Sequence, residues 1–113
     1  MTVAELRAAS WTLRTLRQLR RQLRDGRLHD VRVPAPPRLS SDAVRAVHAV
    51  LRRRPNSCLE RALLLQHWHA AHGRSLDVVV GVTAPKDFRA HAWLEDEPVP
   101  ASPPFDELFR LSP

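Results

Sequence analysis

The stretch "PNSCLERALLL", residues 55–65, holds the only cysteine of the chain, Cys58. Ser57-Cys58-Leu59-Glu60 fits the S-x-x-E capping box, with Ser57 as N-cap and Glu60 at the third helical position. Cys58 is then the first residue of a helix that runs through "LERALLLQHWHAAH" and stops at Gly73, a glycine suited to the position after the C-cap. A helix start has unpaired backbone N–H groups and the positive end of the helix dipole. The thiolate, not the thiol, is the nucleophile, and at an ordinary pKa of about 8.5 only a few per cent is ionised at neutral pH. A helix start favours the anion, and its free N–H groups can serve as an oxyanion hole. The bland alternative is a free cysteine acting as a small buried hydrophobe.

Downstream, "SLDVVVGV" (75–82) reads as a strand in which Leu76, Val78, Val80 and Val82 alternate with Asp77, Val79 and Gly81. "APKD" is a turn, and "FRAHAWLE" (88–95) the next strand. Phe88, Ala90, Ala92 and Leu94 share one face of it; Arg89, His91, Trp93 and Glu95 share the other. "DE" at 96–97 is a tight reversal, "PVPASPP" a proline-limited edge strand and "FDELFRL" a final helical turn. A lone strand histidine is more often structural than catalytic. A cysteine at a helix start followed by a histidine on a central strand is, however, the layout of a papain-like site. His69 and His72 stand three apart on the helix, but no matched carboxylate or cysteine lies beside them, so no metal site is expected. His29 and His48 read as surface residues.

Upstream, residues 3–24 read as an amphipathic helix with a stripe of Leu6, Leu13, Leu16, Leu19 and Leu23, ended by Asp25-Gly26. Its arginines suit a solvated face or, on a sharper reading, a helix that docks an acidic partner. "VRVPAPPRL" (31–39) is an extended, proline-rich connector. Ser40 or Ser41 starts the next helix, with Val44, Val47 and Leu51 inward and Pro55 closing it. The organisation expected is a helical arm and connector over 1–38 and a catalytic domain over 39–113, packed as one unit.

Composition narrows the class. A length of 113 residues suits one domain with one modest core. The net charge of +6 favours acidic surfaces. Without zinc-finger spacing, a glycine-rich phosphate loop or aromatics interleaved with the basic residues, nucleic acid is not the expected partner. One cysteine excludes an internal disulfide and fits a reducing compartment. The N-terminal stretch has no long apolar run, so neither a secretory signal nor a membrane span is expected, and the cytoplasm is the expected location.

"CLERALLLQHWHAAHG", "LDVVVGV", "FRAHAWLE" and "EPV" together resemble the leader peptidases of lasso-peptide biosynthesis, within the transglutaminase-like, papain-related superfamily. The similarity covers residues 55–100 well, the tail loosely and residues 1–40 hardly at all. It implies an α+β fold in which N-terminal helices, with the nucleophile at a helix N-terminus, pack on a small antiparallel sheet. It further implies a stand-alone cysteine peptidase that removes the leader from a ribosomally made precursor, with Cys58 as nucleophile, His91 as general base and acid, and no cofactor. The partners implied are the precursor leader, a separate leader-binding protein and an ATP-dependent cyclase. The family's third position is an aspartate on the strand after the histidine. Alignment puts Ala101 there; Ser102 falls opposite His91 by antiparallel counting, Asp96 lies in the turn, and Asp106 is the next acid. This leaves open a dyad, a triad completed by Asp106 or a partner, and a non-catalytic relative that holds precursor or cyclase without cutting.

Overall fold

In a computed structural model of the chain, residues 2–83, 89–97 and 105–113 are described. Three α-helices, α1 (Val3–Arg24), α2 (Val44–Arg53) and α3 (Cys58–Ala71), precede three strands, β1 (Val78–Val82), β2 (Ala90–Leu94) and β3 (Asp106–Leu111). Helices packed on a small antiparallel sheet make this an α+β fold of the kind expected.

The helix ends follow from local chemistry. Thr2 caps α1 by accepting the Glu5 N–H at 3.1 Å. At its other end the N–H groups of Gly26 and Arg27 reach back to the Leu23 and Gln22 carbonyls (both 3.1 Å), with Gly26 at φ 74°. This is a Schellman stop, which satisfies carbonyls the helix would otherwise leave bare. Helix α3 ends the same way: Gly73 (φ 86°) donates to Ala70 and Arg74 to His69. Before α2, a single 3₁₀ turn spans Ser41–Ala43, so the α-helix starts at Val44 rather than at either serine.

Helix α1 buries only part of the leucine series: Leu16 and Leu19 lie in the core and Leu23 packs against it. Ala8, Trp11, Thr12, Thr15, Leu16 and Leu19 face inward, whereas Leu13 is exposed and Leu6 keeps 55% of its surface in water. Trp11 decides the rotation. It packs on Trp68 of α3 with ring centroids 5.6 Å apart, and its indole N–H donates to the Pro34 carbonyl at 2.8 Å. A buried indole needs such an acceptor. That bond straps the proline-rich connector to α1, and Gln22 adds two more bonds to the Arg32 backbone. Val47 and Leu51 of α2 and Leu63, Leu64 and Leu65 of α3 complete the helical core.

The sheet has the order β2-β1-β3, antiparallel throughout. Residues 106–111 are therefore a strand, not the helical turn expected. Phe109 and Leu111 alternate toward the helical core, and β1 offers an open edge that a strand satisfies and a helical turn would not. A bulge sets Val80 against Phe109 but Gly81 against Glu107, leaving Leu108 as the extra, exposed residue. The proposed edge strand over "PVPASPP" lies outside the described residues. Buried Gln66 of α3 ties the sheet to the helices, donating to the Leu76 carbonyl at 3.0 Å and the Leu111 carbonyl at 2.8 Å.

Partner residues in paired strands share a face. Val78, Ala92, Leu94 and Leu111 belong to the core built with the helices. Val79, Gly81, His91 and Trp93 therefore look out from the opposite side of the sheet. Helix α3 lies chiefly against β2, an edge strand of the described sheet. Among the described residues no helix is long and apolar enough to cross a membrane.

Candidate active site

Cys58 is the first residue of α3, and the capping box is complete. Ser57 Oγ accepts the Glu60 N–H at 3.1 Å, and Glu60 Oε1 accepts the Ser57 N–H at 2.8 Å. The next amide, that of Arg61, donates to the Ser57 carbonyl at 2.9 Å. The amides of Cys58 and Leu59 donate to nothing among the described residues. The box thus consumes two of the donors at the helix start and leaves free the two on and after the cysteine. Cys58 is half-buried, with its side chain at the margin of the helical core.

The turn before Cys58 is held from three sides. Asn56 Nδ2 donates to the Leu51 and Arg54 carbonyls, both at 2.7 Å. Arg20, from α1, donates to the Pro55 carbonyl at 2.6 Å and meets Glu60 Oε2 at 3.3 Å. Farther along α3, Arg61 pairs with Glu97 at 3.0 Å, beyond the end of β2. The capping motif is visible in the sequence; the Arg20 contact is not, because nothing local marks an arginine 40 residues away as its partner.

His91 sits on β2 opposite Gly81. Its ring stacks on Trp93 (centroids 5.9 Å, planes 20° apart) and meets Phe105 at 5.5 Å. Trp93 also touches Phe105, at 6.2 Å, so the three rings form one cluster on the outer face of the sheet. Gly81 makes room for it: a Cβ there would stand 2.8 Å from the Trp93 ring and 3.1 Å from Phe105 Cβ. Sequence reading found His91 and Trp93 but missed Phe105 and Gly81, which the register brings to them. Among the described residues no hydrogen bond joins Cys58 to His91, and none engages the imidazole. What the fold does bring together is their elements, α3 and the edge strand β2.

Of the candidates for a third position, Ala101 and Ser102 lie outside the described residues. Asp96 pairs with Arg74 at 3.1 Å. Asp106 is exposed and faces Val82, with β1 between it and β2. The bulge instead places Glu107 in the row of Gly81 and His91. Two hydrogen bonds of 2.9 Å from Arg110 claim its carboxylate, and that pairing holds it below the usual carboxylate range.

The other histidines serve the scaffold. His72 donates through Nδ1 to the Trp68 carbonyl and accepts the Leu39 N–H at Nε2. His48 is half-buried rather than a surface residue; burial, then the charges of Arg61 and Arg52, lower its pKa below the ordinary 6.5. Burial and Arg74 do the same to His69. Among the described residues no group of three or more His, Cys, Asp or Glu side chains is placed to hold a metal ion.

Compared with known families, residues 3–109 match the transglutaminase-like superfamily. No curated protein and no solved structure matches the chain.

Proposed function

Because the chain belongs to the transglutaminase-like superfamily, which includes cysteine peptidases, we propose that it is a cysteine peptidase acting on the leader of a ribosomally made lasso-peptide precursor. The observation that carries the reading is Cys58 at the capped start of α3, with its own amide and that of Leu59 unpaired among the described residues. The lasso assignment rests on the combination of "CLERA", "VVVGV" and "FRAHAW".

In the reaction the Cys58 thiolate attacks the carbonyl at the leader–core junction. The free amides of Cys58 and Leu59 receive the developing oxyanion. His91, as imidazolium, gives its proton to the departing amine, leaving the leader as a thioester on Cys58. A water, deprotonated by the now neutral His91, then releases the leader as a carboxylate and restores the thiolate–imidazolium pair. A separate leader-binding protein delivers the substrate, and an ATP-dependent cyclase takes the freed core.

Incubation of the chain with its precursor and leader-binding protein, read by mass spectrometry, tests this. Wild type should split leader from core, and Cys58→Ala and His91→Ala should lose cleavage while keeping their circular dichroism. Cleavage surviving in Cys58→Ala ends the peptidase reading. A second reading, a scaffold that binds precursor without cutting it, is favoured by one observation: alignment puts Ala101 where the family has its aspartate. Precursor bound at unchanged mass would support it.

A further inference from the structure

Glu60 is at once necessary and awkward. It completes the box that starts α3, yet only 7% of its surface reaches water. Its carboxylate stands in the first turn, two residues from Cys58, where a negative charge opposes formation of a thiolate. The side chain that answers this charge comes from the far end of the helical layer. Arg20 Nε lies 3.3 Å from Glu60 Oε2, and its Nη2 donates to the Pro55 carbonyl at 2.6 Å. One guanidinium thus spans α1, the buried acid and the turn that presents the sulfur.

The other charged and titratable groups on the surrounding elements are Arg17 and Arg24 of α1, which line one cleft with Arg20, Arg54 and Pro55; Arg52, Arg53 and His48 of α2; Arg61 of α3; and His91 and Glu97 on and beyond β2. Arg61 and Glu97 neutralise each other at 3.0 Å. Arg54 makes no ion pair among the described residues, and Arg20 is the cation that touches Glu60.

We infer that Arg20 is a positioning residue for Cys58: it cancels the charge of Glu60 at the helix start and fixes the turn, so that the dipole and free amides of α3 act on the sulfur unopposed. The inference rests on Cys58 being the nucleophile, but its test does not need peptidase activity. A merely structural Arg20 would hold the turn without setting how readily the thiol ionises.

Because Cys58 is the only cysteine, alkylation by iodoacetamide reports on it alone. The rate is followed from pH 5 to 10 in wild type, R20Q, R20K, E60Q and R20Q/E60Q, beside thiolate absorbance near 240 nm. An uncompensated unit charge in the same helical turn moves such a profile by roughly half a pH unit or more, about threefold in rate below the midpoint. R20Q should move the midpoint up and slow alkylation at pH 7 by that factor. E60Q should move it down, and the double variant should return it close to wild type. R20K, which keeps the charge but loses the second arm to Pro55, should give a midpoint between those of R20Q and wild type. Singles that shift in the same direction, or an R20Q profile that coincides with wild type, overturn the inference. Should R20Q fail to fold, E60Q decides: an unmoved E60Q midpoint overturns it. If wild-type Cys58 alkylates no faster than in urea, the nucleophile reading fails by itself, whatever Arg20 does to the midpoint.

Discussion

The two faces of the sheet are built on different terms. Toward the helices, Val78, Ala92, Leu94 and Leu111 join a continuous apolar core that runs through α3 to Trp11 and Leu19 of α1. Away from them, Gly81, His91, Trp93 and Phe105 make a small aromatic cluster on and beside two strands. Trp93 is as well buried as a core residue, at 6% exposure, yet stands outside that core. Replacements on the inner face should be felt throughout the molecule. Replacements on the outer face should be felt where His91 works.

The sharpest way to break this contrast is at Trp11. Truncation to alanine removes its contact with Trp68 and leaves the Pro34 carbonyl without its donor. Large-to-small changes at such sites cost about 3–5 kcal/mol. Urea unfolding of Trp11→Ala should show a loss in that range and a single, earlier transition. A loss under about 1 kcal/mol would mean that the helical layer does not dominate stability and that the contrast is misdrawn.

Gly81 probes the other face at smaller cost. Position 81 is in the central strand, and an added methyl meets the Trp93 ring at 2.8 Å. The ring is rigid and hemmed in by His91 and Phe105, so it cannot simply swing aside. Overpacking of this kind costs roughly 1–3 kcal/mol. Gly81→Ala should shift the His91 ring resonances and depress cleavage, while leaving the indole N–H resonances of Trp11 and Trp68 in the helical core close to wild type. Equal disturbance of those indoles and of His91 would show the two faces to be one mechanical unit.

The helical layer was largely legible before the structure, because its signals are local. Asp25-Gly26, Ser57 with Glu60, and Gly73 each mark a helix end by chemistry within a few residues. The misreadings arose where a distant partner overrides local pattern. Leu6 and Leu13 fit the apolar period of α1, but Trp11 wins the inward position because Trp68 and the Pro34 carbonyl await it. "DELFRL" has a helix-like spacing of charges, but β1 supplies an edge that only a strand can pair. At the site, Cys58 and His91 could be picked out by type and element. Arg20, Gly81 and Phe105 could not, since what recommends them is a neighbour far along the chain rather than their own surroundings in it.

The smallest effect lies between the layers, where His48 of α2 and His69 of α3 feel the charges of the turn after β2. Burial first, then Arg61 and Arg52, hold the His48 imidazole below its usual 6.5; burial and Arg74 act likewise on His69. The nearby acids Glu97 and Asp96 pull the other way but are outweighed. In the unfolded chain both rings recover the ordinary value and bind protons that the folded protein refuses. Stability should therefore fall as pH drops through about 6.5, and the loss should level off below the folded-state values. The paired carboxylates Asp30 and Glu107, held low by Arg27 and Arg110, act only at more acid pH and leave this window clear. Thermal midpoints measured from pH 7.5 to 5 should decline, and the combined His48→Gln/His69→Gln variant should flatten the decline. A slope that survives unchanged in the double variant would move the pH sensitivity away from the seam between helices and sheet.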